Sequence, residues 1–337
     1  MVRRTRGVSR PTESRAATAS GCAVDWALPE PELVGVPPIG RRRGPAQPGA
    51  GGAPPYSPPG RELLRETKGT SKGATELTRF ARVGGPVFAG SSADGAVNAG
   101  YVVTGLGALA VDTLVTRADG VALLKAAETE GGRVTAICFT HEHADHTIGS
   151  TDFPPGGVIV SEGTARGLAE ERVWLAEAMA GEGVKPKDPT LVFESGIRLP
   201  WGPEIIIREL GGHARGSTVV FVPSAGVLFA GDLVFRGRPA YIGGMTAEKW
   251  LAALRTLEGW NVKTVVPGHG PVGGPEALTE QRVWLERFVN RARELKSRGL
   301  GLAEATETLA GEFGFTDRRV EGLRMGLENR LGFTNRE

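Results

Sequence analysis

The chain reads as an α/β (α+β) protein: two mixed β-sheets packed face to face, helices on the outside, and more helices at the C-terminus. Two observations predict this. Short apolar, β-branched runs alternate with amphipathic helical stretches, and the alternation recurs in two similar halves. Each of the five histidines also follows such a run, so each stands where a strand gives way to a loop. A single domain of about 260 residues suits such a sandwich.

Residues 1–73 differ from the rest. They hold 11 Pro and 11 Gly, so 22 of 73 positions favour turns or extended chain, and few apolar residues remain for a core. They are expected to form a disordered Pro/Gly/Arg-rich tail. The tail carries 12 Lys and Arg against 6 Asp and Glu, a balance of +6; the remainder carries 40 − 12 = 28 against 38 − 6 = 32, a balance of −4. A folded part without excess basic charge is a poor match for a phosphate backbone, so no nucleic-acid partner is expected. Arg3-Arg4 is not followed by an apolar segment of signal-peptide length, Arg41-Arg42-Arg43 reads as a solvated run, and no stretch reaches the roughly 18 apolar residues of a membrane span. Cys22 lies in the tail and Cys138 in an apolar strand, which argues against a structural disulfide and for a cytoplasmic location.

Residues 74–275 should form the main domain. Residues 77–83 alternate at period two, Gly84-Gly85-Pro86 interrupts, and strands follow from Pro86, over 97–103 and over 108–111, a β-meander. Asp112 closes it, and on composition alone could be the acidic residue opening the next helix. That helix is expected over 121–130, ended by Gly131-Gly132. The chain re-enters the sheet at 134–139 and again at 158–160. Residues 164–180 are helical in composition, with Leu168, Val173, Trp174, Leu175 and Met179 facing the core. Strands follow at 205–210, at 219–222 and 227–230 as a hairpin ending at Asp232, and at 264–266. Between the last two, Trp250, Leu251, Leu254 and Leu257 mark a helix over 246–257 with Thr246 as N-cap. The C-terminal extension, 276–337, should be helical and packed on the sandwich, with Trp284, Phe288, Ala292 and Leu295 on one face and Leu302, Ala305 and Leu309 on another.

The densest chemistry is His141-Glu142-His143-Ala144-Asp145-His146, three imidazoles and one ligating carboxylate at a strand exit. H-x-H on a turn can close on one zinc, and Asp145 with His146 can hold a second ion nearby. The remaining histidines sit in Gly211-Gly212-His213 and Pro267-Gly268-His269-Gly270, and an acidic candidate, Asp232, follows its own apolar run. A lone histidine is usually a satisfied core or surface residue. Five of five at strand ends is the clustering that metal ligation needs.

These motifs, in this order, resemble those of the metallo-β-lactamase superfamily from about residue 75 to the C-terminus. The resemblance implies a four-layer αββα sandwich with a two-zinc site along one edge. It places His141, His143 and His213 on one Zn2+, Asp145, His146 and His269 on the other, and Asp232 between them. It also gives Asp112 a second reading, as a brace behind the metal loop. Two such ions would bridge a water and lower its pKa enough to give hydroxide near neutral pH, which attacks a carbonyl or phosphoryl centre with no protein nucleophile. Asp145 and Asp232 are then the catalytic carboxylates, and Ser217 a turn cap.

The ligand set is similar to that of glyoxalase II, so a zinc-dependent hydrolase of a small ester, thioester or lactone is expected. Two β-lactamase classes carry Cys where this chain has Asp232, and no long insertion separates His213 from His269 as in the nuclease branch. Gly212-His213-Ala214-Arg215-Gly216 departs from the commoner Gly-His-Thr-Pro-Gly, which touches the loop's shape and not the ligand. The alternative is a mononuclear Fe2+ oxygenase resembling persulfide dioxygenases, with His141, His213 and Asp232 as a facial triad; a non-enzymatic, metal-stabilised module is a third reading. The partner is expected to be a small molecule, with no membrane involved; no oligomeric state follows from the residues. In the segment after Asp232, residues 233–241, Arg236, Arg238 and Tyr241 are candidates to border the cleft. An arginine there either pairs with a substrate carboxylate or phosphate or ties the loop to the scaffold.

Overall fold

Alternating burial along the strands divides the structure into layers. A computed structural model describes residues 80–178 and 184–334; the expected tail and the start of the strand expected from residue 77 lie outside them. The first sheet has the order β1 (Ala81–Gly84), β2 (Val87–Ser91), β3 (Asn98–Thr104), β4 (Gly107–Val111), β5 (Val134–Cys138), β6 (Gly157–Ser161) and β7 (Leu191–Phe193). Its first four strands pair antiparallel and the rest parallel. The second sheet has the order β12 (Thr264–His269), β11 (Val227–Phe235), β10 (Thr218–Val222), β9 (Glu204–Glu209) and β8 (Gly196–Pro200), antiparallel except for β11 with β12.

Strand periodicity of two sends neighbouring side chains to opposite faces. In β4, Leu109 and Val111 join Val220, Val222, Val227 and Phe229 of the second sheet in a shared inner core. Ala108 and Ala110 face outward with Leu123 and Ala127 of helix α1 (Arg117–Thr129). On the far side, Val219 and Phe221 pack with Trp250, Leu254 and Leu257 of α4 (Ala247–Glu258) and with Leu285, Phe288 and Ala292 of α5 (Glu276–Ser297). Helix, sheet, sheet and helix thus form the αββα sandwich. Trp250 is fully buried and its indole N–H donates to the Leu233 carbonyl at 2.9 Å. Burying Leu254 and Leu257 on the same face contributes on the order of 1.5–3 kcal/mol each.

The short α2 (Ala144–Thr147) lies inside the histidine loop, and α3 (Glu162–Ala178) follows β6. After α5 come α6 (Leu302–Phe313) and α7 (Arg318–Leu331), and Leu302, Ala305, Leu309, Leu323 and Leu327 enter the core that α5 shares with the second sheet. Among the described residues no helix is long and apolar enough to cross a membrane.

Several boundaries differ from the sequence expectation for local reasons. Helix α1 begins at Arg117, because Thr116 caps it: its hydroxyl accepts the Asp119 N–H at 3.1 Å. The acid of that first turn is Asp119, and Asp112 serves elsewhere. Thr246 stands at the N-cap of α4 without a side-chain bond; its N–H donates to Gly212 at 2.7 Å. Strand β11 continues past Asp232 to Phe235 through two irregularities in its pairing with β12. Strands β7 and β8 were not anticipated; both are largely exposed, β7 is only the three residues Leu191-Val192-Phe193, and the apolar residues of β8 are interrupted by Arg198. Leu168 is buried as expected, whereas the side chains of Val173, Trp174, Leu175 and Met179 lie outside the description.

Candidate metal centre

Asp112 holds the histidine loop from behind. One carboxylate oxygen, Oδ1, accepts the Thr140 N–H at 2.7 Å; the other, Oδ2, accepts the Thr140 hydroxyl and the His146 Nδ1–H, both at 2.8 Å. The start and end of the loop are therefore tied to one buried carboxylate. Since Thr140 Oγ1 donates to Asp112, it is free to accept the Nδ1–H of His141, 3.0 Å away. His213 Nδ1 donates to the Tyr241 carbonyl at 3.2 Å and His269 Nδ1 to the Ala96 carbonyl at 2.7 Å. The outer nitrogen of each of these four rings is committed as a donor, which fixes the tautomer and leaves each Nε2 with a lone pair facing inward.

Those lone pairs converge. His143 Nδ1 lies 3.0 Å from His141 Nε2 and 3.2 Å from His213 Nε2. Asp232 Oδ2 is 3.3 Å from His213 Nε2 and 3.7 Å from His141 Nε2. The same carboxylate reaches the second group, with Oδ2 3.2 Å from His269 Nε2 and Oδ1 3.1 Å from His146 Nε2. Asp145 Oδ2 completes that group, 3.5 Å from His269 Nε2 and 3.8 Å from His146 Nε2. All seven side chains are buried, and in each group the ligating atoms lie within 4.8 Å of one another. Facing imidazole lone pairs repel. Four ligands around an ion with Zn–N bonds of the usual length stand about 3.3 Å apart, close to the spacing here. Buried His146 Nε2 and Asp232 Oδ1 also lack a hydrogen-bond partner among the described residues. The donor set therefore fits two divalent cations sharing Asp232.

Electrostatics agree with that assignment. Burial, with repulsion from neighbouring rings, holds His141 well below the ordinary imidazole range. Burial brings His143 down to about 4 and His213 to about 3. These three stay neutral, the form that binds metal. Burial would lower His146 too, but Asp232, Asp145 and Asp112 outweigh it and hold the ring well above its usual value. Burial opposes the charge on Asp232, yet the surrounding His269, His146, His213 and His141 keep its carboxyl well below the usual range.

Neighbouring packing reinforces the ligands. The Phe235 ring stacks on His269 at 4.9 Å, and Trp250 meets His213 edge-on at 5.4 Å. A side chain at Gly268 would place its Cβ 1.9 Å from Asp232 Oδ1, so only glycine admits the bridging carboxylate there. Ser217 closes the loop after His213: its hydroxyl accepts the Ala214 N–H at 2.8 Å.

The three candidates in the segment after Asp232 have different surroundings. Arg236 donates to the carbonyls of Pro271 and Val272, each at 3.3 Å, and sits 3.6 Å from Glu280. Arg238 stands against the outer nitrogen of His269. Tyr241 packs edge-on to His143 and His213, with its hydroxyl buried. Three contributors escaped the sequence reading. Asn98, whose amide donates to Pro267 at 2.9 Å and Gly270 at 2.7 Å, fixes the His269 loop; its only trace is one buried amide in an apolar strand. Glu142 and Glu171 are buried carboxyls beside the centre; burial pushes Glu142 up to about 7 and Glu171 well above its usual range.

Comparison with known proteins supports this geometry. The sequence profile described as the metallo-beta-lactamase superfamily matches residues 93–269. The α subunit of 2,4-dinitroanisole O-demethylase from Nocardioides sp. strain JS1661 is 28% identical over 173 residues, 48% of this chain and 49% of that protein. The acyl-coenzyme A thioesterase MBLAC2 of Bos taurus is 28% identical over 164 residues, 41% of this chain and 57% of its own length. The chain thus spans about half the length of these curated relatives. Among solved structures, a double mutant of the sec-alkyl sulfatase PisA1 superposes with a TM-score of 0.61 over 77% of this chain and 51% of that one, at 19% identity, a likeness of fold.

Proposed function

Since the chain belongs to the metallo-β-lactamase superfamily, we propose that it is a zinc-dependent hydrolase of a small ester, thioester or lactone. One observation carries this: two adjacent buried ligand groups meet at Asp232, whose Oδ2 lies 3.3 Å from His213 of one group and 3.2 Å from His269 of the other, with Oδ1 3.1 Å from His146. His141, His143, His213 and Asp232 would hold one ion, and Asp145, His146, His269 and Asp232 the other. When bound, such ions supply Lewis acidity and a water of lowered pKa.

The protein's own residues orient and insulate that chemistry. Asp112, Thr140, and the carbonyls of Ala96 and Tyr241 aim the rings; Phe235 and Trp250 exclude water from two of them. Asp145, whose Oδ2 lies 3.8 Å from His146 Nε2 and 3.5 Å from His269 Nε2, would orient the attacking water by accepting a hydrogen bond from it. A single-iron facial triad would leave Asp145, His146 and His269 without a task, which favours the two-ion reading. The name of the bovine relative supports a thioester as the first substrate to try.

The test is elemental analysis of protein purified without added metal, combined with turnover of aryl-ester, thioester and lactone panels. About two zinc per chain with hydrolysis of at least one panel is expected. About one iron per chain with substrate-dependent oxygen uptake would replace this reading with the oxygenase.

A further inference from the structure

Strand β11 outruns its neighbours before it reaches the metal centre. Its pairing with β10 ends at Phe229, and its pairing with β12 is irregular between Gly231 and Phe235. Phe235 therefore has no β10 residue opposite it, and a buried N–H left unmet there would cost free energy. A side chain meets it instead: Gln281 of α5, itself buried, accepts the Phe235 N–H on Oε1 at 3.0 Å. Gln281 Nε2 has no partner among the described residues, so the oxygen carries the whole polar contact. The preceding residue of the helix, Glu280, lies 3.6 Å from the Arg236 guanidinium. Two successive residues of α5 thus hold two successive residues of the strand end.

What they hold is the setting of His269. Phe235 stands opposite His269 in the register of β11 with β12, and its ring stacks on that imidazole at 4.9 Å with 13° between the planes. The Arg236 N–H donates to the His269 carbonyl at 2.9 Å. A Cβ on Gly270 would clash with the Arg236 carbonyl, so the strand end lies directly on the loop that leaves His269. His213 also nears the Phe235 ring, tilted and 5.7 Å away, but it has supports of its own in the Tyr241 carbonyl and Trp250. We infer that Gln281 is a positioning residue for His269, acting through Phe235, so that the C-terminal extension helps to mount the ion on Asp145, His146 and His269 and not the other. This rests on the two-ion reading for the site and on the Phe235 N–H bond for the coupling.

The experiment titrates zinc into the metal-free full chain, in competition with a chelator, for the parent and four variants. Gln281→Met fills similar space without that acceptor, and should weaken one of the two ions by about tenfold while leaving the other unchanged. Gln281→Glu keeps an oxygen in place and alters only the unpartnered amino group, so it should restore the parental affinities. Phe235→Leu keeps the backbone bond, removes the stacked ring and should weaken the same ion. Arg291→Gln, on the same helix but paired with Glu312 of α6, loosens the extension without touching Phe235 and should change neither ion. Parental affinities in Gln281→Met or Phe235→Leu, loss of both ions together, or an equal loss in Arg291→Gln overturn the positioning role. If the parent holds only one ion, the two-ion reading is at fault, and the Nδ1–H resonance of His269 in metal-free protein decides the coupling. A resonance broadened in Gln281→Met and sharp in Gln281→Glu supports it; one sharp in both overturns it.

Discussion

Asp112 Oδ2 accepts the Nδ1–H of His146 at 2.8 Å, across 34 residues of sequence, and this bond decides which nitrogen of His146 faces Asp232. A carboxylate behind a ligating histidine fixes the tautomer and raises ligand basicity. Here it does more, since the same oxygen also accepts the Thr140 hydroxyl that receives His141. One side chain therefore orients a ring in each ligand group.

Asp112→Asn should lower metal affinity in both groups, by about 10- to 100-fold for the ion on His146. Its amide NH2 would face two donors, Thr140 Oγ1–H and His146 Nδ1–H, and His146 would have to move its proton to Nε2 to accommodate it. The measurement is competition against a chelator, with circular dichroism to verify the fold. Two ions retained at parental affinity would remove the brace from the account.

Asp232→Asn should lose the second ion and most of the activity, with partial recovery at high zinc. The amide keeps one oxygen ligand but no negative charge to hold two cations together. Native affinity for both ions, titrated against a chelator, would sink the shared-ligand assignment.

The two ions should leave at different pH. Metal binding needs neutral imidazole, so a group whose metal-free pKa is raised gives way to protons first as pH falls. His146 is raised well above the ordinary range, whereas His143 and His213 are brought down to about 4 and 3. As pH falls, the ion on Asp145, His146 and His269 should therefore be released first, the other being retained toward lower pH. Metal content of dialysed protein across a pH series checks this; simultaneous release of both ions contradicts it.

The ligands were legible because histidine is scarce in this chain and each one follows an apolar run. Their supports were not, since a support works through a partner distant in sequence. Asn98 lies 169 residues from the Pro267 carbonyl it holds, and no local pattern marks such a pair. Asp112 had two readings of equal merit until its partners, Thr140 and His146, were in view. Strands β7 and β8 escaped because they are short edge strands: the three apolar residues of β7 are too few to distinguish a period, and Arg198 and Pro200 break up β8. Arg236 and Arg238 are two residues apart and look alike in sequence. Their separation into a loop tie and a neighbour of His269 depends on which carbonyls β12 and its exit loop present.

Arg236→Ala should therefore act on stability more than on selectivity. It removes charge-assisted bonds to Pro271 and Val272 and a contact with Glu280, at a cost of roughly 1–2 kcal/mol. Urea denaturation measures the loss. A preserved midpoint with a shifted preference between anionic and neutral esters would return Arg236 to the substrate.

Tyr241 offers a test in which removing a polar group is expected to do no harm. Its ring packs on His143 and His213, while its hydroxyl is buried with no hydrogen-bond partner among the described residues. Burial, followed by the nearby Glu171, raises the phenol well above its ordinary range, so the hydroxyl stays protonated at every pH where the fold persists. A buried donor without a partner costs about 1–3 kcal/mol of desolvation. Tyr241→Phe keeps the ring and removes that cost, so its denaturation midpoint should equal or exceed the parent's. Tyr241→Ala should instead lose about 3–5 kcal/mol, the usual price of deleting a buried aromatic ring, and with it the surface on which Gly322 of α7 packs. If Tyr241→Phe is destabilised by more than about 1.5 kcal/mol, the hydroxyl has a partner after all, bound water or substrate-side, and the packing account of this residue is wrong.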